Sequence, residues 1–341
     1  MALFRQNSPL QTFQFSMKHL PCLLLPLLST LAFADPAKPV SQPSVLPDGI
    51  RMERDLAYLP NGDEAQRLDL YLPEITPATP LPLIVHIHGG GWMGGNKFPC
   101  PVVGMVNFGY AVASVEYRFS RKAIFPAQIQ DCQAAIRWLR ANAVKYHFDP
   151  EKVGVVGGSA GGHLSALVGT SGGTGTFPPI GGHEDQSDRV QAVCNIFGPA
   201  DFTTVVEQAA ADSNVKNIFE FNSPKDPYSL LIGAPLETTE KSRAVSPVTY
   251  ISADDPPILI LHGTHDALVP YAQSVQFAAE LMAQGVPVWL QTLPGAGHGG
   301  PAFTKPAVLK LMHDFFGKFL QGADVEIVLV PESELTVEVV K

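Results

Sequence analysis

The residues whose types and spacing could do chemistry lie in glycine-rich segments. The first is Gly157-Gly158-Ser159-Ala160-Gly161, which follows the apolar run 153–156 and precedes a helix-like stretch at 162–167. A serine at a sharp strand-to-helix turn is held in a strained conformation with its hydroxyl presented outward, and only small neighbours let the adjoining backbones pass. A G-x-S-x-G string alone is modest evidence, because a plain glycine turn has the same composition. A nucleophilic serine also needs a base to take its proton and donors for the negative charge that develops on a carbonyl oxygen.

Both needs have candidates. His88-Gly89-Gly90-Gly91-Trp92 follows the continuous apolar run 83–87. There the N–H groups of Gly90 and Gly91 can approach a substrate unobstructed, joined by the N–H of Ala160 at the start of the next helix, to form an oxyanion hole. Trp92 is a candidate wall of the substrate pocket, with packing beneath the loop as the alternative role. The acid and the base are expected later in the chain, in that order, each just beyond a strand end. Leu261-His262-Gly263-Thr264-His265-Asp266 supplies Asp266, and Pro294-Gly295-Ala296-Gly297-His298-Gly299 presents His298 on a glycine-flanked loop. The spacing predicts that His298 faces Ser159 with one ring nitrogen and Asp266 with the other.

Other polar residues compete less well. Asp254 and Asp255 precede a strand rather than follow one, and an acid at this edge belongs beyond the strand's C-terminal end. Asp201 follows a strand too early in the order and reads as a lid hinge or pocket-wall residue. His262 and His265 read as loop-shaping residues, and His163 as a packing residue at the start of the nucleophile helix. The ten histidines form no short, repeated metal-ligand spacing, which argues against a zinc site. Neither Gly-rich stretch ends in Gly-Lys-Ser/Thr as a phosphate loop would.

Positioning these residues requires a mostly parallel sheet covered by helices on both faces. Short β-rich runs at 83–87, 111–115, 153–156, 192–197, 258–261 and 286–290 alternate with helical patterns at 127–144, 271–284 and 307–320. The run 66–72 alternates polar and apolar residues as an edge strand would. Between Asp201 and Pro256 the alternation gives way to polar, Pro-containing sequence with Phe202, Phe219, Phe221 and Tyr228 scattered through it. This is read as a small lid insertion. It contains no helix with a broad apolar face of the kind an oil-droplet lipase needs, which points to short or aromatic acyl groups. The tail 322–341 is acidic and β-prone, suited to an added edge strand or a loose end.

The N-terminus reads as a signal peptide over 1–34. A cationic start precedes an apolar run at 20–28 and the small-residue site Ala32-Phe33-Ala34, so a mature chain would begin at Asp35. Met17-Lys18 could serve as an internal start, and Cys22 is followed by Leu23 rather than the small residue lipidation requires. A Pro-rich linker at 36–47 leads into a catalytic domain over 35–321. Export implies a secreted or periplasmic protein in an oxidising compartment, where Cys100, Cys132 and Cys194 leave at least one thiol unpaired. A bridge between Cys100 and Cys132, with Cys194 free on a buried strand, is one open pairing. The formal net charge of −9 over 341 residues gives no basic footprint for nucleic acid and disfavours anionic membranes. A small neutral ester, carbohydrate-linked or free, suits it better; oligomeric state is left open.

These motifs resemble the esterase/lipase branch of the α/β-hydrolase fold, which includes hormone-sensitive-lipase-like enzymes and, more closely, a bacterial feruloyl-esterase-like and acetyl-esterase-like group. The resemblance runs over most of the mature chain: His88 to Trp92, Val115-Glu116-Tyr117-Arg118, Phe125-Pro126-Ala127 with Trp138-Leu139-Arg140, the serine turn, Phe197-Gly198-Pro199, and the loops of Asp266 and His298. It implies a single catalytic domain, no cofactor, and ester hydrolysis through an acyl-enzyme. The acidic tail departs from the group's pattern. A binding protein on an inactive hydrolase frame would have lost the serine, the histidine or the glycines, and all are present. A serine peptidase of this type carries a large gating domain for which the chain has no room. Acyl transfer to an alcohol, or lactone opening, would use the same residues.

Overall fold

β-Branched and apolar runs of five to eleven residues become eight strands in a computed structural model that describes residues 46–216 and 220–335. The expected signal segment, its cleavage site and Phe219 lie outside the described residues. The strands are β1 (Ile50–Ala57), β2 (Arg67–Pro73), β3 (Leu81–Ile87), β4 (Ala111–Val115), β5 (Phe148–Gly158), β6 (Ala192–Ile196), β7 (Ile258–Gly263) and β8 (Val288–Leu293). They form one sheet in the order β1-β2-β4-β3-β5-β6-β7-β8. The β1–β2 and β2–β4 pairs are antiparallel and all the others parallel. Gly157 near the end of β5 pairs with Ile87 of β3 on one side and Asn195 of β6 on the other. The loops that leave these three strands therefore start side by side, at the edge where ligands bind in such sheets.

The helices are α1 (Ala127–Ala141), α2 (Ala143–Tyr146), α3 (Ala160–Ser171), α4 (Val205–Ala211), α5 (Pro227–Ile232), α6 (Thr239–Val245), α7 (Tyr271–Ala283), α8 (Pro306–Phe316) and the single turn α9 (Glu332–Leu335). Alternate residues of each strand face opposite sides, and two buried clusters result. One joins Leu83, Val85, Val155 and Ile260 to Ile129 of α1, Leu164 of α3 and Phe277 of α7. The other joins Ile84, Val112, Val156 and Leu259 to Val308, Met312 and Phe315 of α8. Helices thus cover both faces, as the sequence predicts. Among the described residues no helix is long and apolar enough to cross a membrane.

Three readings need correction. The run 66–72 is not the edge: β2 lies between β1 and β4, and β1 is outermost. Its polar position Asp69 is buried, accepting the Asp55 N–H at 2.8 Å and lying 3.3 Å from Lys97 Nζ, so alternation there marks a buried ion pair rather than solvent. As far as residue 335, where its description ends, the tail neither adds a strand nor hangs free. Gln291 of β8 bonds the N–H and the carbonyl of Val330 at 2.7 and 3.2 Å, and Ile327 and Leu335 are buried. Finally, Cys100 and Cys132 do not meet. They belong to the clusters on opposite faces of the sheet, and Cys100, Cys132 and Cys194 are all free, buried thiols.

The segment 201–256 folds into α4, α5, α6 and connecting turns, none of the helices longer than seven residues. Asp226 caps α5 by accepting the N–H groups of Tyr228 and Ser229, and Val205, Tyr228, Leu231 and Val245 turn inward onto the α3 side of the core. Asp201 starts the segment. Its carboxylate accepts from the Thr203 N–H at 2.8 Å and from Gln276 Nε2 of α7 at 2.7 Å, which ties the insertion to the main domain.

Candidate active site

Ser159 sits between the end of β5 and the start of α3 with φ 56° and ψ −123°, a conformation an L-residue holds only when its surroundings impose it. The imposition is steric. A Cβ on Gly161 would lie 2.0 Å from the Ile87 carbonyl oxygen and one on Gly157 would lie 2.4 Å from that of Gly161, so the turn closes only with glycine at both positions. The Ser159 N–H donates to the Ile196 carbonyl at 2.9 Å, which anchors the turn to β6.

His298 comes from the loop after β8. It passes across the end of β7, where a Cβ on Gly263 would lie 2.2 Å from the Ala296 carbonyl oxygen. Its Nε2 lies 2.9 Å from Ser159 Oγ and its Nδ1 2.7 Å from Asp266 Oδ2. Asp266 is 1% exposed. Burial pushes its carboxyl upward, but hydrogen bonds from His262 and His298, the positive charge His298 can carry and the Val269 N–H outweigh this and hold it well below the usual carboxylate range. Its Oδ1 accepts the N–H groups of Leu268 and Val269 at 2.8 and 3.0 Å, in the turn before α7. An ionised carboxylate only accepts, so His298 Nδ1 carries the proton and Nε2 turns a lone pair toward the serine hydroxyl. The geometry permits Ser159 to lose its proton to His298 without any side chain moving.

The loop after β3 faces the serine turn. Gly89 packs against Ser159: a Cβ there would come within 3.4 Å of the serine's own Cβ. The Gly90 carbonyl accepts the N–H groups of Met93 and Gly94, both at 3.1 Å, and closes a tight turn. Tyr117 OH donates to the His88 carbonyl at 3.0 Å while its ring stacks on the His88 imidazole at 4.5 Å. Among the described residues no backbone or side-chain acceptor takes the N–H of Gly90 or Gly91, and Ala160 opens α3 with no acceptor one turn before it inside the helix. These are three donors of the kind an oxyanion requires.

Trp92 does not wall an open pocket. It is 2% exposed and packed among His163, Phe202 and Tyr228. Its Nε1–H donates to His163 Nδ1 at 3.2 Å, so His163 must carry its own proton on Nε2, which donates to the Val245 carbonyl at 2.8 Å. One imidazole on α3 thereby joins the glycine loop to α6 of the insertion. Pro227 of α5 closes over the same loop, its Cβ 3.3 Å from where a Cβ on Gly91 would be.

Phe197, named in the sequence only within the Phe197-Gly198-Pro199 resemblance and given no role at the site, follows β6 with φ 44°. Its ring lies 4.5 Å from the His298 ring and 4.8 Å from that of Phe303. The signal available in the sequence was its place just beyond an apolar run and before Gly198-Pro199. Asp254 and Asp255 bond Arg189 and Ser252 in the turn before β7, and the exposed His265 contacts Thr264, all apart from the serine. Among the described residues no three His, Cys, Asp or Glu side chains converge as metal ligands would. A cavity of about 280 Å³ lined by Pro80, Val144, His147, Phe148 and Asp149 lies at the opposite end of β5 from Ser159, and its lining holds no serine or cysteine.

Comparison with known proteins identifies relatives of this chain. The BD-FAE family model matches residues 68–281. Esterase LipQ of Mycobacterium tuberculosis is 31% identical over 271 residues, covering 77% of this chain and 61% of the relative, so the chain spans about three fifths of that relative's length. Among solved structures, a truncated carbohydrate esterase from gut microbiota is 32% identical with a TM-score of 0.71, covering 80% of this chain and 96% of that one. A bifunctional GH43-CE protein of Bacteroides eggerthii is 34% identical with a TM-score of 0.70, covering 79% of this chain and 35% of that one.

The buried histidines predict how stability depends on pH. Burial lowers His163 to about 4, against the pull of its bond to Val245, and burial beside His88 lowers His86 to about 3. An unfolded histidine titrates near pH 6.5, so the folded state binds fewer protons just below it. The stability tied to the neutral imidazoles is present above about pH 6.5 and is lost as pH falls toward about 4. The depressed Asp266 acts only below this window. The melting temperature should fall steadily between these limits, and His163→Gln, which keeps a donor for Val245 without a titrating ring, should fall less steeply. An equal slope in the variant would contradict the assignment.

Proposed function

The chain belongs to the BD-FAE family of α/β-hydrolases, and on that premise we propose that it is a serine carboxylesterase. The observation that carries this reading is the continuous line from Ser159 Oγ through the His298 ring to Asp266, with contacts of 2.9 and 2.7 Å. Ser159 Oγ attacks the ester carbonyl carbon as its proton passes to His298 Nε2. The carbonyl oxygen becomes an oxyanion held by the N–H groups of Gly90, Gly91 and Ala160. Collapse breaks the bond to the alcohol oxygen, which leaves with the proton from His298, and the acyl group stays on Ser159. Water then gives a proton to His298 and attacks the acyl carbon; the carboxylic acid departs and Ser159 recovers its hydrogen. Asp266 keeps the imidazole in the required tautomer and stabilises its transient charge.

The substrates we infer are neutral esters with short or aromatic acyl groups, including acetyl or feruloyl esters on carbohydrate. Two solved relatives, the gut-microbiota carbohydrate esterase and the GH43-CE protein, support the carbohydrate link. The insertion supports a small acyl site. Pro227 closes against Gly91, and Trp92, Phe202 and Tyr228 are packed together in the core behind the glycine loop, which argues for a restricted space beside the oxyanion donors. A net charge of −9 favours an uncharged partner. The ordered signal features of the first 34 residues support export to the periplasm or medium.

Three outcomes test this. Ser159→Ala should lower kcat by about a millionfold and Asp266→Asn by about ten-thousandfold, with circular dichroism unchanged; near-parent turnover by the serine variant would remove the assignment. Across p-nitrophenyl esters from acetyl to palmitoyl, kcat/KM should peak between acetyl and butyryl and fall steeply beyond octanoyl, with acetylated xylan and methyl ferulate tested alongside. A maximum at palmitoyl would reject the small acyl site. N-terminal sequencing of exported protein should read from Asp35, and retention of the intact leader in the cytosol would reject export.

A further inference from the structure

Asp266 has a second imidazole. His262, in β7, is fully buried, and its Nε2 lies 3.2 Å from Asp266 Oδ2, the same oxygen that receives His298. His262 Nε2 also lies 3.2 Å from the Val269 carbonyl. Both neighbours are acceptors, so this nitrogen must carry the proton. His262 Nδ1 lies 2.6 Å from Ser274 Oγ of α7, whose hydroxyl can donate to it. A neutral His262 therefore satisfies every contact. His262 Nε2–H, hydrogen-bonded to the Val269 carbonyl, also lies 3.2 Å from Asp266 Oδ2, and this polar contact joins the Ser274–His262 pair to the hydrogen-bonded line Asp266–His298–Ser159.

We propose that His262 is a positioning residue for the reaction, a donor that holds Asp266 in place and tempers the negative charge that Asp266 offers to His298. The inference rests on the serine-esterase reading above. Two further titratable side chains face this group: Tyr271 of α7 packs edge-on against His262 at 5.6 Å, and the buried phenol of Tyr228 in the insertion feels the charge of Asp266. Among the described residues no lysine or arginine makes an ion pair with Asp266, so its charge is shared between the two histidines and the N–H groups of Leu268 and Val269. With the His262 donor removed, more of that charge falls on His298. Its imidazolium is then stabilised, and the free base needed to accept the serine proton appears only at higher pH.

The decisive experiment compares His262→Met, which keeps volume and loses the donor, with His262→Gln, whose Nε2 can take the place of the imidazole's. The readout is the pH profile of kcat/KM on p-nitrophenyl acetate. His262→Met should move the acid limb upward by about half a unit or more and lower kcat about tenfold with KM little changed, and His262→Gln should restore most of both. Ser274→Ala, which leaves the Asp266 contacts in place, should move the limb the same way by less and decides the matter if His262→Met does not fold. A folded His262→Met or Ser274→Ala enzyme with the parent's acid limb overturns the inference, as does loss of activity that His262→Gln fails to restore. Ser159→Ala run in parallel separates the two levels: near-parent turnover in that variant would defeat the esterase reading itself, whereas its large loss of activity with an unmoved limb in the His262 series would defeat the role of His262 alone.

Discussion

A carboxylate with almost no solvent contact is stable only if hydrogen bonds replace the water it has lost, and the arrangement around Asp266 follows from that requirement. Two of its four donors are backbone N–H groups of the turn that leads into α7, one is the buried His262, and one is His298. The first three tie the carboxylate to β7 and α7. The fourth projects from a loop that has no regular structure of its own. The burial that makes the charge costly also keeps the His298 bond short and free of competing water, so a base carried on a loop can meet a serine carried on a rigid turn.

That rigid turn is a property of the sheet. Parallel pairing of β5 with β3 and β6 sets the ends of three strands level, so the serine turn, the glycine loop after β3 and Phe197 after β6 emerge together. Each pays locally: Ser159 and Phe197 hold left-handed backbone, and Trp92 has φ 56°. Dense packing below is what sustains such conformations. The insertion adds to this support. Through His163 the glycine loop, α3 and α6 share one pair of hydrogen bonds, so disturbance of the insertion would be felt at the glycine loop.

Much of this was legible in the sequence, for identifiable reasons. Glycines at 157 and 161 leave a compositional trace because no other residue fits there, and the continuous apolar runs of β3 to β7 are what a sheet buried on both faces demands. Ser159 and Asp266 could be named because each stands just beyond such a run, and His298 because it stands on a glycine-flanked loop after the next strand. What the sequence hid was burial of polar residues. Asp69 looked like a solvent-facing position and is buried beside Lys97. His262 and His163 looked like loop and packing residues, yet Ser274 lies 12 residues from His262 along the chain, and Trp92 and Val245 lie 71 and 82 residues from His163. Trp92 looked equally suited to lining a pocket or packing under a loop, and only the position of Phe202 and Tyr228, from an insertion without a clear pattern, decides between the two. The faces of Cys100 and Cys132 likewise depend on where the sheet runs between them.

The claim on which the rest depends is that Ser159 is the nucleophile. Its most direct measurement is covalent labelling of the intact enzyme with a serine-reactive alkyl phosphonate, followed by peptide mapping by mass spectrometry. The account predicts one phosphonyl group per chain, on the peptide that contains Gly157 to Gly161, with activity lost in step with labelling. Modification of a different serine as activity disappears, or full activity in a chain already labelled at Ser159, would contradict it.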